Sequence, residues 1–327
     1  MEEDQTMSMP VLPSVSDWSR AAPRCLKVGL IVPVFEGGFA EQTARWSDLV
    51  AFARLAEDAG FESLWFPDHL LMRDDEGRTS GVWESWSMLT GLAAVTNRVA
   101  LGTFVSCIGF RNPALLAKMA DSVDEISGGR LILGLGSGWH EPEYRAFGFP
   151  FDHRTDRFAE ALAIVSGLLR DGHVDFDGRY YQARECELRP RGPRRQGPPL
   201  MIGASDARPR MLELTVRYGD GWNTWLDSTG NTVDGLMPLM ARVDAACDAA
   251  GRERGSLERS TAVYVQVGSS ESAMMIQPPL TGCAESIAVG LRAYADAGVS
   301  HLQVFLEPMT PAGIEAFAPA LTLLDHN

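Results

Sequence analysis

The chain has 327 residues, 45% hydrophobic and 22% charged, ordinary proportions for a folded globular protein. Its 43 acidic and 29 basic side chains leave a formal net charge of −14, a surface sign that repels phosphate backbones and argues against a nucleic-acid partner. The five cysteines (Cys25, Cys107, Cys186, Cys247 and Cys283) are odd in number and form no CxxC pair, so neither a disulfide framework nor a thiolate zinc site is indicated, and a reducing compartment is expected.

The first residues, MEEDQTMSMP, lack the basic start and apolar run of a signal peptide. No stretch approaches the roughly 18 consecutive apolar residues of a membrane span, so a cytoplasmic protein with no membrane association is expected. Residues 1–24 carry three prolines and little pattern and are expected to be a flexible tail, with 25–327 as one domain.

From residue 26 onward, short apolar runs alternate with longer amphipathic stretches. A strand at 26–33 (LKVGLIVP) is followed by a helix over 44–59, stopped by Gly60. A second strand at 62–66 (ESLWF) leads through a loop rich in Asp, Gly and Arg to a helix over 85–96. The third strand is 99–105 (VALGTFV), and its helix starts after Pro113, a good first-turn residue, and ends near Ser127 before two glycines. The fourth strand, 131–136 (LILGLG), pairs with a helix over 155–169. Residues 172–198 then break the rhythm as an insertion after the fourth helix: a hairpin with a turn at Asp177-Gly178, then loop. The remaining strands are 199–203, 221–225, 261–268 and 301–307, with helices over 209–218, 233–250, 284–297 and 312–324. Buried apolar strands alternating with helices imply a parallel sheet, and eight such pairs at this length imply a closed α/β (β/α)8 TIM barrel. No GxGxxG opens the first strand–helix turn, and GLGSG at 134–138 is weak support for a dinucleotide fold.

A barrel of this kind binds ligands at the carboxyl ends of its strands. Four of those ends carry unusual residues here: Pro67-Asp68-His69, SCIGFRN from Ser106, GSGWHEPEY from Gly136, and GASDARPR from Gly203. An imidazole at His69 can donate, accept or shuttle a proton. Trp139 can pack against a planar cofactor, while His140 and Glu143 can hydrogen-bond a polar edge or transfer a proton. The small-residue turn Gly203-Ala204-Ser205 exposes backbone N–H groups that suit a phosphate, and Arg208 can add a charge-assisted bond. Cys107, just past the third strand, reads as a buried residue in contact with a cofactor and not as a reactive thiol. No HExxH and no His pair at i, i+4 points to a metal, and no GxSxG points to acyl transfer. A bound organic redox cofactor accounts for loops that look like cradles.

Residues 111–151 (RNPALLAKMADSVDEISGGRLILGLGSGWHEPEYRAFGFPF) resemble the central block of the bacterial luciferase-like monooxygenase superfamily, and most of all its branch dependent on the deazaflavin coenzyme F420. GFESLWFPDHL (60–70), RYGDGWN (217–223) and AGVSHLQVFLEP (297–308) follow in the same order, so that the resemblance covers about 26–325. It implies a (β/α)8 barrel with an insertion, a homodimer, and Asp68-His69 lying against the flavin or deazaflavin ring. It further implies a non-prolyl cis peptide at Phe104-Val105 backing that ring, with Cys107 following, and cofactor phosphate at Gly203-Ala204-Ser205. Two departures stand out. Relatives often carry a second glycine where this chain has Ala204, followed by an unhelpful Asp206; and Trp139 replaces the catalytic glutamate of the F420-dependent sugar-phosphate dehydrogenases.

The reading that results is hydride transfer between F420 and a small organic substrate, with His69 or His140 as proton partner and Glu143 orienting. The alternatives are an FMN monooxygenase that takes reduced flavin from a separate reductase and uses O2, and a non-catalytic flavin-binding protein. Substrate contacts are expected from 70–84, 172–198 and 268–283, where Trp83, Trp86, Met274, Met275 and Ile276 form either an apolar pocket wall or core packing.

Overall fold

The computed structural model describes residues 24, 26–39, 41–268 and 277–325. The expected tail, apart from Arg24, and Met274, Met275 and Ile276 lie outside the described residues.

Eight strands close into a parallel barrel: β1 (Lys27–Ile31), β2 (Ser63–Phe66), β3 (Ala100–Thr103), β4 (Leu131–Gly136), β5 (Leu200–Gly203), β6 (Gly221–Thr224), β7 (Glu258–Gln266) and β8 (His301–Glu307). Each pairs with the next, and β8 returns to β1 with Lys27 opposite His301. The outer ring consists of α1 (Trp46–Ala59), α2 (Ser85–Val95), α3 (Pro113–Ser127), α4 (Arg154–Asp171), α5 (Pro209–Tyr218), α6 (Val233–Ala249), α7 (Ala284–Asp296) and α8 (Pro311–Asp325). The main core lies between strands and helices, where Leu30, Leu64, Leu101, Leu133, Ile202 and Val304 meet the apolar helix faces. Parallel strands buried on both faces need such near-continuous apolar runs.

A second cluster fills the barrel interior, with Ile31, Trp65, Ile132, Met201, Tyr264 and Phe305 among its members. Trp65 is wholly buried there because its neighbours are small. A Cβ at Gly102 would fall 2.2 Å from the indole, and one at Gly29 would fall 2.3 Å from its ring nitrogen. Burial of an indole contributes about 4–6 kcal/mol of transfer free energy, so a methyl at either glycine would work against the core it touches. At the amino-terminal end of the barrel, Trp65 Nε1 donates to Ser63 Oγ, and Ser63 Oγ pairs with His301 Nε2 at 2.8 Å. Burial pushes His301 down to about 3, so it stays neutral and serves the packing of the floor.

The structure departs from the sequence expectation in four places. Residues 70–84 are not all loop: Leu71–Arg73 and Thr79–Gly81 form an antiparallel hairpin, with Leu71 opposite Gly81 and Arg73 opposite Thr79. Glu141–Phe147 is a short helix with Pro142 in its first turn. Strand β7 begins at Glu258, three residues early, because Glu258, Arg259 and Ser260 pair with Gly221, Trp222 and Asn223 despite their polarity. Strand β3 ends at Thr103; the backbone turns at Phe104-Val105 and pairs again with β4 at Ser106 and Cys107. The expected hairpin in the 172–198 segment is present as His173–Asp177 against Gln182–Glu187, closed by Gly178 N–H to the Tyr181 carbonyl.

Candidate active site

The carboxyl ends of β2, β3 and β4 converge on one cluster. The peptide bond Phe104-Val105 is cis, as the resemblance implied. Glycine is required around it. A Cβ at Gly136 of β4 would stand 2.6 Å from Val105 Cγ2, and one at Gly203 of β5 would stand 2.9 Å from the same atom. The two glycines therefore let the backbone after β3 lean inward over the barrel mouth.

Asp68 follows β2 and is buried, with both carboxylate oxygens engaged. Arg111 holds them at 2.6 and 3.0 Å, and Oδ2 also accepts the Cys107 backbone N–H at 3.0 Å. The Nη2 that bonds Asp68 Oδ1 also donates to Glu84 Oε1 at 2.8 Å. Glu84 in turn caps α2 by accepting the N–H groups of Trp86 and Ser87. Burial acts to raise the Glu84 carboxyl, but the bonds from Ser87 and Arg111 outweigh it and hold the group below its ordinary value. Asp68 thus braces the loop carrying Cys107, and its carboxylate is turned to Arg111.

His69 is half-buried, and its Nδ1 lies 2.9 Å from Glu143 Oε1. Glu143, buried in the short helix, accepts the Leu70 backbone N–H on its other oxygen at 2.8 Å. One carboxylate thereby fixes both the imidazole and the backbone beside it. With Nδ1 committed, Nε2 carries no hydrogen bond among the described residues. The Trp139 indole, 63% exposed, stands edge-on to His69 at 5.7 Å and to His140 at 5.0 Å. His140 is buried, and its Nε2 accepts the Arg73 backbone N–H at 2.9 Å. Burial lowers the His140 pKa against the pull of Glu143. Cys107 is buried with Sγ 2.8 Å from Tyr144 Oη, and burial pushes its thiol up to about 12, so it is inert at neutral pH.

The turn after β5 is placed differently from this group. The Ala204 N–H is spent on the Asn223 carbonyl, and its own carbonyl accepts from Ala207 N–H and Trp222 Nε1. Ser205 is half-buried, with its carbonyl accepting from Thr224 Oγ1. Arg208 occupies the residue before α5 without a side-chain capping bond; exposed, it pairs with Asp206 at 3.1 Å. Both line a cavity of about 950 Å³ on the outer surface between α5 and α6, which also takes in Arg217, Arg242, Leu212 and Ala246. Trp86 belongs to the core and donates to Ser106 Oγ, while Trp83 is half-buried and donates to the Ala44 carbonyl. No group of three or more potential metal ligands is found among the described residues, and none of their helices is long and apolar enough to cross a membrane.

A family model described as luciferase-like monooxygenase matches residues 26–277. The chain belongs to the luciferase-like monooxygenase family. It is 30% identical over 243 residues to "Pyrimidine monooxygenase RutA" of Cronobacter turicensis, an alignment covering 71% of this chain and 63% of that protein. It is 32% identical over 236 residues to "F420-dependent hydroxymycolic acid dehydrogenase" of Mycobacterium tuberculosis, covering 70% and 61%. The chain thus spans a little over three-fifths of the length of these luciferase-like relatives. The solved structure of monooxygenase RslO1 from Streptomyces bottropensis superposes with a TM-score of 0.76 at 19% identity, covering 91% of this chain and 99% of that one, and supports the shared fold.

Arg111, Glu84 and Tyr144 were not singled out in the sequence. The available signal was Arg111 itself, a lone cation between the apolar GF of Gly109-Phe110 and the helix-starting Asn112-Pro113.

Proposed function

We propose that this chain is a luciferase-like oxidoreductase that transfers a hydride between deazaflavin coenzyme F420 and a small organic substrate at the mouth formed by β2, β3 and β4. The observation that carries the reading is the His69–Glu143 pair, which joins the carboxyl end of β2 to the short helix after β4. A residue that only lines a binding pocket gains nothing from a buried carboxylate on the far nitrogen of its imidazole. The inward lean allowed by Gly136 and Gly203 supplies a wall for a planar ring, so the residues present fit a flavin-like group. Phe104, Val105, Cys107 and Asp68 would back or brace that ring, and Trp139 would cover its edge. Ser205 and the first turn of α5 would hold the phosphate, with Gly203 and Ala204 keeping the turn small and Arg208 adding charge nearby. When bound, the deazaflavin supplies the carbon that accepts or gives the hydride.

The chain's own residues handle the proton. Glu143 accepts from Nδ1–H, which leaves the His69 lone pair on Nε2. That nitrogen takes a proton as hydride leaves the substrate, or returns one in the reverse direction. The Glu143 carboxylate also offsets the positive charge the ring acquires. A homodimer in the cytoplasm is the assembly and location we propose.

The second reading is an FMN-dependent monooxygenase served by a separate flavin reductase, and the identity to a pyrimidine monooxygenase favours it. Titration of the purified protein with F420 and with FMN, together with mass spectrometry of any bound cofactor, separates the two. Saturable F420 binding supports hydride transfer; micromolar FMN binding without F420 binding would overturn it.

A further inference from the structure

His140 sits two residues into the loop after Gly138 and looks like a second acid–base group, yet its hydrogen bond assigns it other work. The Arg73 backbone N–H can only donate, so the Nε2 it meets at 2.9 Å must be an unprotonated acceptor. We propose that His140 is a positioning residue whose neutral imidazole fastens the hairpin Leu71–Arg73/Thr79–Gly81 across the barrel mouth, and that this hairpin forms a wall of the substrate pocket.

The attachment has two ends. On one side, Arg73 is bound to His140 in the β4 loop. On the other, Gly81 N–H donates to Glu36 Oε2 at 2.7 Å, Glu36 N–H donates to the Gly81 carbonyl at 2.8 Å, and Phe35 bridges to Val82. Glu36 and Phe35 belong to the loop after β1. The hairpin therefore runs as a strap from the β1 loop to the β4 loop, and its first strand begins two residues after His69. A strap fixed at both ends sets the depth and width of the space facing His69 Nε2. That part of the inference rests on the proposed function; the fastening does not.

The environment keeps the acceptor available. Burial opposes the imidazolium, and so do the neighbouring His69 and Arg73, while Glu143 alone of the charged groups facing it favours protonation. Protonation at Nε2 would set a donor against the Arg73 donor and release that end of the strap. Protonation of His140 therefore loosens the hairpin at its Arg73 end.

The test uses the intact chain without cofactor, so that it is independent of which coenzyme binds. Amide hydrogen exchange of the 70–84 segment is followed by mass spectrometry in the wild type, His140→Gln and His140→Leu. Glutamine can present its amide oxygen to the Arg73 N–H but cannot titrate, whereas leucine offers no acceptor. Loss of this partly buried bond should speed exchange at Arg73 by roughly tenfold in His140→Leu, and His140→Gln should retain protection. As pH falls below the ordinary imidazole value of 6.5, protection should fall in the wild type, after correction for the intrinsic rate, and stay level in His140→Gln. Nitrogen-15 spectra of the wild-type ring at pH 7 should show Nε2 unprotonated, which keeps the idea testable even if His140→Leu does not fold. Unchanged exchange in His140→Leu, equal loss in His140→Gln, or a protonated Nε2 at pH 7 would each overturn it. Failure of F420 to bind would instead sink the proposed function and leave these results standing.

Discussion

Asp68→Asn tests whether the buried ion pair, and not only the shape of the side chain, holds the mouth together. The Asp68 side chain is wholly buried and that of Arg111 is 10% exposed, with contacts of 2.6 and 3.0 Å between them. Removing one charge of such a pair costs about 3–5 kcal/mol, because the survivor stays desolvated. Glu84 remains 2.8 Å from the guanidinium, but at 41% exposure it compensates in part, which puts the expected loss near the lower end, about 3 kcal/mol. For a chain of this size that corresponds to a fall in Tm of roughly 4 °C. Asparagine still offers an oxygen to the Cys107 N–H, so the change isolates the charge. Urea denaturation of Asp68→Asn, Arg111→Met and the double variant completes a cycle, with cofactor titration on each. The double variant should be more stable than the sum of the singles requires, by about 2 kcal/mol, since no lone charge is left buried. A loss under about 1 kcal/mol in Asp68→Asn, or strict additivity, would refute the brace.

His69→Ala should leave cofactor affinity within about threefold but cut turnover by roughly a hundredfold or more, as loss of general acid–base catalysis does. Glu143→Gln removes a charge-assisted bond worth about 1.5–3 kcal/mol, so steady-state rates should fall roughly 10- to 150-fold. Gly136→Ala puts a methyl 2.6 Å from Val105 Cγ2 and should weaken cofactor binding more than it lowers Tm, as paired titration and melting measurements would register. Burial pushes Glu62 up from its ordinary 4.5 to about 7, against the pull of Arg24. A raised carboxyl favours the protonated fold, so its contribution of about 3 kcal/mol is fully present below pH 4.5 and lost as pH rises through 7; Glu62→Gln should flatten that limb of the stability–pH curve measured in urea. Ellman's reagent followed by peptide mapping should label exposed Cys283 in the native protein and leave Cys107 unmodified.

The barrel was legible because its signals are local and repeated. Apolar runs such as LILGLG, a Pro113 start and a Gly60 stop each mark an element from its own residues, and eight of them in alternation leave few topologies. The elements that escaped are those whose reason is tertiary. Glu258-Arg259-Ser260 reads as loop until β6 supplies its carbonyls, and TSG at 79–81 becomes a strand only because Leu71–Arg73 and Glu36 meet it. The site divides the same way. His69 and Glu143 could be found one by one at strand ends, but their pairing across 74 positions could not. Arg111 was invisible as a site residue because a buried cation is explained only by the two carboxylates it touches, and these stand 43 and 27 residues away.

The turn after β5 shows how a residue that departs from the family pattern is absorbed. Asp206, unwelcome beside a phosphate, is paired with Arg208 and accepts from Ser228 Oγ at 3.2 Å, so the turn and its acid are neutralised together. That pairing leaves Arg208 with less to offer an incoming anion, and the Ala204 N–H is already given to Asn223. A phosphate at this turn would therefore draw on Ser205 and on the first free N–H groups of α5, beginning at Arg210 because Pro209 has none. Its affinity would then be set more by the helix end than by the arginine. Arg208→Ala and Asp206→Ala should accordingly move cofactor affinity in opposite directions: little change or a small loss for the first, a gain for the second, since removing Asp206 frees Arg208 and takes away a repelling charge. A tenfold loss in Arg208→Ala with no gain in Asp206→Ala would place the phosphate on the guanidinium instead.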